Sequence, residues 1–232
     1  MGQTTIPQHI AIIADGNRRW ARSHGLAVIQ GHENAVERTF EPLIRHAATL
    51  GVKYLTFWVF STENWKRSPR EIELLMQLFR AGFEKKITLF TENNVKLRII
   101  GDITRFPSDV QDQVKKAVAA TSQNTGITVI FAMNYGGRDE LVRAVSKLVL
   151  DQEKKSEPIS IATISKYLDT DGIPDPDLII RTGGEQRLSG FMLWQCEYSE
   201  LCFSEVLYPD FTPTELDRAI AEYEQRQRRF GG

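Results

Sequence analysis

Three short polar segments carry the residue types that bind diphosphates and metal ions. The first begins at Asp15, directly after an unbroken apolar run at 10–14, and continues as GNRRW. The Asp15 carboxylate can hold Mg²⁺, while the two arginines and the backbone amides of a following helix can bind an anion. These are the parts of a site for a metal-bridged diphosphate. The plainer interpretation is an aspartate that caps a helix beside two solvated arginines, and this segment alone does not decide between the two.

The other two segments also follow apolar runs. One begins at Ser61, after the run at 54–60, and reads STENWKR, which offers hydroxyls, an amide, a carboxylate and two cations. Serine and asparagine are also common in ordinary turns. The other begins at Arg181, after the run at 178–180, and reads RTGGEQRLS. A glycine-rich loop between two arginines can bring amides and guanidinium groups to a phosphate, although a solvated turn would have a similar composition.

Alternating strand and helix patterns predict how these segments come together. Strands are expected at 10–14, 54–60, 95–100, 127–132, 178–180 and 203–207. Helices are expected at 34–50, 69–93, 107–122, 138–151, 159–168 and 213–228. This order predicts one α/β domain over residues 1–232, with a mostly parallel central sheet flanked by helices. Ligands bind at the carboxyl ends of such strands, so we expect the three polar segments to form one site.

The expected helix at 69–93 is apolar over much more than one stripe. A helix of this kind is buried on several sides, usually by the core or by a second subunit. The alternative is that one of its faces lines an apolar cavity for a lipid chain.

Composition narrows the class of protein. The 232 residues carry a net charge of −1, so the chain has no basic excess with which to bind nucleic acid. The two cysteines have no metal-ligand spacing and predict reduced thiols in a cytoplasmic protein. We also expect no signal peptide and no transmembrane helix, because no apolar run approaches the ~20 residues needed to span a bilayer.

Missing motifs exclude other phosphate chemistries. The chain has no GxxxxGK[ST] and no GxGxxG, which weakens the ATP and dinucleotide hypotheses. It also lacks the DDxxD motif of trans-prenyl synthases and terpene cyclases. A phosphatase of the haloacid dehalogenase type would need a second aspartate two residues after Asp15, where Asn17 stands.

The motifs HIAIIADGNRRWA, GHENAVE, LTFWVFSTENWKR, RIIGD, NYGGRDE and IIRTGGEQRLSGFMLWQCEYSELCFSEVLYPDF resemble those of cis-prenyltransferases, the undecaprenyl diphosphate synthase family. The resemblance runs in the family's order and spacing from His9 to the C-terminal RRFGG. It implies an α/β fold with an apolar tunnel, a homodimer and a requirement for Mg²⁺. It also implies condensation of isopentenyl diphosphate with an allylic diphosphate such as farnesyl diphosphate, giving a long cis-polyprenyl diphosphate, the precursor of an undecaprenyl-like lipid carrier.

The same resemblance implies roles for individual residues. Asp15 would bind Mg²⁺ with Glu200 as a second carboxylate, and Asn64 would assist proton removal, although a neutral amide is a poor base and the diphosphate or Asp15 is an alternative acceptor. The residues implied for the allylic diphosphate are Gly16, Asn17, Arg18, Arg19, Trp20 and His32. The residues implied for isopentenyl diphosphate are Ser61, Thr62, Glu63, Asn64, Trp65, Arg67, Arg181, Arg187, Leu188 and Ser189. The tail at about 226–232 would reach across the homodimer, and the helix at 69–93 would form a tunnel wall.

Four positions leave the primer and the product length open. Arg18 stands where the family usually has glycine, and Val28 stands where it usually has a basic residue. Val59 is larger than the residue that long-chain members often have there, which would shorten the tunnel, whereas Gly82 would give room back.

Four hypotheses remain at this stage. The first two are an active enzyme with a long product and the same enzyme with a short or medium product. A non-catalytic partner subunit is disfavoured, because such partners typically lose the aspartate and arginines that this chain retains. A Mg²⁺-dependent phosphatase would release phosphate without isopentenyl diphosphate. For the enzyme, a lipid product would bring transient contact with a membrane surface.

Overall fold

The computed structural model describes residues 6–152 and 158–226. Its strands are β1 (His9–Ile13), β2 (Tyr54–Ser61), β3 (Lys96–Ile100), β4 (Thr128–Tyr135), β5 (Leu178–Arg181) and β6 (Glu200–Phe203). Its α-helices are α1 (Asn17–Ser23), α2 (Val28–Asn34), α3 (Phe40–Leu50), α4 (Pro69–Glu92), α5 (Ser108–Ala120), α6 (Gly137–Gln152), α7 (Ile161–Ser165) and α8 (Pro213–Gln225). Across these ranges, no helix combines the length and apolar character needed to cross a bilayer.

All six strands of the described ranges pair in parallel in one sheet with the order β3-β4-β2-β1-β5-β6. β1 lies between β2 and β5, and Ile13 is level with both Trp58 and Arg181. The three strands therefore end side by side, and the polar segments that follow them start from one edge of the sheet. The predicted α/β architecture with a parallel sheet is confirmed.

The apolar run of β1 is explained by burial on both faces of the sheet. Ile10 and Ile12 belong to the larger hydrophobic core, which α3, α4, α5 and α8 cover. Ala11 and Ile13 belong to a smaller core on the opposite face, together with Phe191. A strand that is buried on both faces carries no alternating polar positions, so its pattern is continuous.

Several predicted boundaries need correction. The last strand was expected at 203–207 but is Glu200–Phe203, because the four-residue β5 pairs from Leu178 to Arg181 with these residues. The expected helix at 34–50 is the end of a longer helical stretch that starts at Val28 and contains a π-helical turn at Ala35–Thr39. The helix expected at 159–168 is shorter, and residues 227–228 of the last predicted helix lie outside the described ranges.

His9 joins β1 to its surroundings through a buried polar network. Its side chain is fully buried, with Nδ1 2.7 Å from the carbonyl oxygen of Pro174 and Nε2 2.8 Å from the hydroxyl of Thr56. A carbonyl only accepts hydrogen bonds, so Nδ1 carries the proton and Nε2 accepts from Thr56. Burial favours this neutral form and lowers the pKa of His9 to about 4.

We expect acid to destabilise the fold partly through His9. Because the folded pKa of about 4 lies below the unfolded value of 6.5, the unfolded chain binds more protons between these values. The contribution of His9 to the free energy of unfolding is therefore complete above pH 6.5 and is lost as the pH falls towards 4. Between pH 7 and pH 5 we expect the free energy of unfolding to fall by about 2 kcal/mol from this cause. Urea unfolding at the two pH values measures this loss. A His9→Asn variant should show a smaller pH dependence, and an unchanged dependence would contradict the assignment.

Candidate active site

A polar cleft of about 590 Å³ opens where β1, β2 and β5 end. All three polar segments contribute to it, as the strand order predicts. The lining residues are Ile13, Ala14, Asp15, Gly16, Asn17, Arg18, Arg19, Arg22, His32, Trp58, Val59, Phe60, Ser61, Glu63, Asn64, Arg67, Arg181 and Ser189. Five of these are arginines and two are carboxylates, so the cleft has a positive excess although the whole chain has a net charge of −1. Such a cleft attracts anions.

An ion pair between Asp15 and Arg181 lies at the base of the cleft. Arg181 Nη2 donates to Asp15 Oδ2 over 2.8 Å, and Arg19 Nη2 is 3.4 Å from Oδ1 of the same carboxylate. The Arg181 side chain is buried, and its Nη1 donates to Ser189 Oγ over 2.8 Å and to the carbonyl of Arg187. Arg181 thus joins the first and third polar segments.

Thr182 fixes the backbone of Asp15 and was not among the predicted site residues. Its buried hydroxyl donates to the Asp15 carbonyl oxygen over 2.7 Å and accepts from the Asp15 N–H over 3.0 Å. These two hydrogen bonds fix the backbone of Asp15 at the end of β1 and thereby fix where its side chain starts. The only sequence signal for Thr182 is its place directly after Arg181 in the glycine-rich motif.

Gly183 gives the third segment room for an arginine from the first. Its φ is +84°, and a Cβ built there would lie 2.5 Å from Arg19 Nη2. Both a backbone conformation that L-residues rarely adopt and a close neighbour therefore require glycine at this position. The predicted function of this loop was to bring amides to a phosphate, whereas the structure shows that it also seats the guanidinium of Arg19.

The second polar segment is held by side chains that the motif itself supplies. Asn64 Oδ1 accepts from the Ser61 N–H over 3.0 Å, and this bond closes the 3₁₀ turn Thr62–Lys66. Arg67 Nη1 donates to Glu71 Oε1 over 3.1 Å, while Arg18 Nε is 3.7 Å from the same oxygen. Glu71, in the first turn of α4, therefore orders arginines from two segments. Nothing in the sequence pattern distinguished it from other helix-terminal acids.

Asn17 and His32 form the uncharged inner end of the cleft. The buried atoms Asn17 Oδ1 and His32 Nε2 have no hydrogen-bond partner among the described residues. Burial, followed by the positive charges of Arg67 and Arg18, lowers the pKa of His32 to about 3, so the imidazole is neutral. Two unpartnered buried polar atoms are costly unless a ligand completes them. Gly31 permits this arrangement, because a Cβ there would lie 2.1 Å from the Asn17 carbonyl oxygen.

An apolar chamber of about 90 Å³ begins at these same two residues. Asn17, His32 and Val59 line both the cleft and the chamber. The chamber continues between α3, α4 and the sheet, with Leu75, Leu78, Phe79, Gly82, Phe83 and Lys86 of α4 on one side. The structure thus places both Val59 and Gly82 on the chamber wall. A positively charged cleft and an apolar chamber therefore meet at one uncharged polar junction.

Several predicted residues lie outside the lining of the cleft. Trp20 is buried on another side of α1, where its Nε1 donates to Asp210 Oδ1 over 2.8 Å. Trp65 anchors the second segment by donating to Asn134 Oδ1 over 2.8 Å. Thr62 lies against Gly136, where a Cβ would be 2.7 Å from the Thr62 hydroxyl.

The third segment also places two predicted residues outside the cleft lining. The Arg187 side chain is exposed and paired with Glu185, and Leu188 packs against the smaller core. Like Trp20, Trp65 and Thr62, Leu188 helps to hold the site in shape rather than to line it.

Glu200 lies far from Asp15 within one chain. It was expected to share a metal ion with Asp15, but within one chain the structure does not bring the two carboxylates together. Glu200 pairs with Leu178, the first residue of the parallel strand β5, and therefore lies at the opposite edge of the sheet from Asp15. Its Oε2 accepts from Arg226 Nη1 over 2.9 Å. A motif gives the order of residues along the chain but not the end of the strand on which each one lies, and the metal site with Glu200 stays a prediction.

The comparisons with known proteins agree with this geometry. The family described as "Putative undecaprenyl diphosphate synthase" matches residues 13–231. An isoprenyl transferase of Clostridium tetani is 46% identical over 98% of this chain and 90% of its own length. A Haemophilus influenzae protein named ditrans,polycis-undecaprenyl-diphosphate synthase, (2E,6E)-farnesyl-diphosphate specific, is 44% identical over 100% of this chain and 98% of its own.

Among solved structures, lavandulyl diphosphate synthase from Lavandula x intermedia, in complex with dimethylallyl diphosphate, superposes with a TM-score of 0.94. It is 37% identical, with 98% of this chain and 99% of that chain covered. The full-length matches confirm the resemblance found in the sequence motifs. The chain belongs to the undecaprenyl diphosphate synthase family and is an enzyme that transfers prenyl groups.

Proposed function

We propose that this enzyme condenses isopentenyl diphosphate with an allylic diphosphate such as farnesyl diphosphate and forms each new double bond in the cis configuration. One observation carries the proposal: the positive cleft and the apolar chamber meet at Asn17 and His32. An allylic diphosphate has a charged head and a hydrocarbon tail, and this arrangement matches both. The carbon–oxygen bond that breaks would lie at the junction.

The allylic diphosphate is assigned to the first segment, at Gly16, Asn17, Arg18, Arg19 and His32. The exposed arginines Arg18 and Arg19 supply charge, with 45% and 46% of their side chains accessible. The neutral His32 can donate from its unpartnered Nε2 to a diphosphate oxygen without adding charge beside the chamber. Asn17 Oδ1 only accepts and Asn17 Nδ2 already donates to the Ala14 carbonyl oxygen, so Asn17 would reach the diphosphate through a water.

Isopentenyl diphosphate is assigned to the side of the cleft formed by the second and third segments. The cleft-lining residues there are Ser61, Glu63, Asn64, Arg67, Arg181 and Ser189. The exposed Arg187 stands on the same loop as Ser189 and is the natural additional cation for this diphosphate. Holding the two substrates in adjacent positions supplies much of the catalysis, because it replaces a bimolecular encounter by a reaction within one complex.

Mg²⁺ is assigned to Asp15. No cluster of three or more His, Cys, Asp or Glu suited to a metal occurs in the described residues. Mg²⁺ in phosphate-transfer sites needs only one or two carboxylates, since the phosphates and water supply the other ligands, so the donor set fits. The bound ion would neutralise charge on the leaving diphosphate. Arg181 and Arg19 hold the Asp15 carboxylate in place for this purpose.

The geometry disfavours Asn64 as the proton acceptor. Its amide oxygen already accepts from the Ser61 N–H, which leaves the amide nitrogen as a donor. A donor positions a diphosphate oxygen and does not remove a proton. We therefore assign proton removal to an oxygen of the allylic diphosphate or to Asp15, with Asn64 as a positioning residue. The apolar chamber keeps water from the allylic cation.

Two product lengths are supported by different observations. A long polyprenyl product is supported by the similarity to the Haemophilus influenzae undecaprenyl diphosphate synthase. A short or medium product is supported by the chamber, whose volume of about 90 Å³ is small against the 300–1,000 Å³ typical of ligand pockets. The similarity to lavandulyl diphosphate synthase supports the same alternative. We give the long product first, with the short product as the second candidate.

The homodimer is proposed from an exposed apolar face on α6. Val142, Val145 and Val149 have 67%, 45% and 54% of their surface accessible and follow helical spacing, so they lie on one side of the helix. Exposed Ile161 and Leu193 extend this apolar surface to neighbouring segments. A second copy of the chain is the partner that would cover it. The tail residues Arg229-Phe230-Gly231, predicted to cross the dimer, lie outside the described residues.

Two further parts of the proposal concern location. The enzyme is placed in the cytoplasm, because its substrates are charged diphosphates, and its lipid product would bring it to the membrane surface for release. No nucleic-acid partner is proposed, since the chain has a net charge of −1 and thus no basic excess.

The proposed reaction predicts incorporation of labelled isopentenyl diphosphate. With Mg²⁺ and geranyl, farnesyl or geranylgeranyl diphosphate in turn, we expect chain-extended products that chromatography resolves by length. A product series ending at one long chain supports the first candidate, and a single short product supports the second. Release of phosphate without incorporation would contradict a prenyltransferase and support a phosphatase.

Asp15→Asn should lower turnover by about 10³-fold, equivalent to about 4 kcal/mol of transition-state stabilisation, since the variant loses the metal-binding charge. Asp112→Asn, on the exposed surface of α5, is the matched control and should retain wild-type turnover. Thermal unfolding must show that both variants fold, because Asp15→Asn also removes the counter-charge of Arg181. A folded Asp15→Asn variant within tenfold of the wild type would refute the role of Asp15.

Val145→Glu and Val149→Glu together should convert the protein from a dimer to a monomer, because they place charges in an apolar interface. Light scattering coupled to size-exclusion chromatography measures the mass. Leu26→Glu, at an exposed position between α1 and α2, is the control and should leave the mass unchanged. A wild-type monomer at micromolar concentration would overturn the dimer proposal.

A further inference from the structure

The far end of the apolar chamber contains a pair of opposite charges. Glu41 Oε2 on α3 and Lys86 Nζ on α4 are 2.8 Å apart, and both side chains line the chamber. Each is about a quarter exposed, with accessible fractions of 25% for Lys86 and 28% for Glu41. The other chamber-lining residues beyond His32 are apolar, so this pair is the one place past His32 where charge interrupts the described hydrocarbon lining.

A second cavity lies directly behind this pair. It is a groove of about 400 Å³, and it shares Glu41, Ile44, Leu89 and Phe90 with the chamber. These four residues therefore form a partition between the two spaces. The groove also reaches Asn93 and Val95, which precede β3, so it lies towards the edge of the sheet opposite the polar cleft.

The path from the cleft to the partition follows α4. The lining of the chamber runs along this helix from Leu75 to Lys86, a distance of about 16 Å at 1.5 Å per residue. A prenyl chain that grows from the junction at Asn17 and His32 would extend along this path. Its end would meet Glu41 and Lys86 before it could enter the groove.

The charges at the partition are held firmly. Arg45 Nε and Nη2 donate to Glu41 Oε1 over 3.1 and 3.0 Å, and Arg45 Nη1 donates to Asn93 Oδ1 over 2.6 Å. The hydrogen bond from Lys86 is the largest cause that lowers the pKa of Glu41, so the carboxylate is charged at neutral pH. Lys86 of α4 thus binds Glu41 of α3, and Arg45 of α3 binds Asn93 at the end of α4.

We propose that the Glu41–Lys86 ion pair closes the far end of the chamber and thereby sets the length of the prenyl chain. The proposal rests on the function proposed above, and on its short- or medium-product candidate in particular, because a path of about 16 Å holds only a few isoprene units. A hydrocarbon chain that passes the partition must displace the water around both charges or separate them, and each event is unfavourable. Elongation beyond the partition is opposed, so the chain is released at the length that reaches it.

Replacing both charges by apolar side chains of similar length tests this proposal. Glu41→Met with Lys86→Met should shift the main product by at least one isoprene unit towards longer chains, as chromatography of the labelled products would show. Affinity for geranylgeranyl relative to geranyl diphosphate, followed by tryptophan fluorescence, should rise about fivefold.

Two controls isolate the ion pair. Lys86→Arg keeps the pair and should keep the wild-type product length. Lys85→Met removes a neighbouring exposed charge of the same helix and should also keep it. Lys86→Met alone provides a second test if the double variant fails to fold, and it should lengthen the product in the same direction.

The outcomes distinguish this proposal from the proposed reaction. A folded double variant with wild-type product length and wild-type chain-length preference would overturn the role of the ion pair while leaving the reaction intact. A wild-type enzyme that incorporates no isopentenyl diphosphate would overturn the reaction itself. Longer products from the double variant and unchanged products from both controls would support the proposal.

Discussion

The ion pair between the buried Arg181 and the partly exposed Asp15 is the interaction on which the polar cleft depends. A buried guanidinium without a counter-charge would be strongly destabilising, so Arg181 requires Asp15. The two residues are 166 positions apart, and they meet because β1 and β5 are adjacent, parallel and in register at their last residues. Arg181 also binds Ser189, whose φ of +53° is strained for a residue other than glycine. The ion pair therefore determines the shape of the third segment as well.

A gradient of polarity follows from this arrangement. Exposed arginines surround the mouth of the cleft, neutral Asn17 and His32 occupy its inner end, and the chamber behind them is apolar. The low pKa of His32 is part of the gradient, because an imidazolium there would place positive charge beside a developing allylic cation. Burial is the main cause of this low pKa, and the positive charges of Arg67 and Arg18 lower it further.

The sequence predicted the sheet and most of the cleft because both depend on local pattern. A continuous apolar run identifies β1, and three polar segments after strands indicate a shared edge. The sequence did not predict Thr182 or Glu71, whose importance arises from contacts across the fold. It placed Glu200 beside Asp15, since motif order does not show at which edge a residue of a short strand lies. Trp20 and Trp65 were expected at the substrate, and the structure shows their indole N–H groups donating to Asp210 and Asn134, outside the lining of the cleft.

The chamber was the hardest part to predict, because no motif encodes it. Its wall depends on how aromatic rings from separate elements pack. Phe131 of β4 contacts Phe40 edge-on at 5.6 Å and Phe83 at 6.0 Å between ring centroids, so one side chain couples the sheet to α3 and α4. A change at any of these rings moves the others, since interiors are close-packed. The polar cleft and the chamber are consequently built in different ways: the cleft depends on charged motifs at the strand ends, whereas the chamber depends on packing and on the charges between α3 and α4.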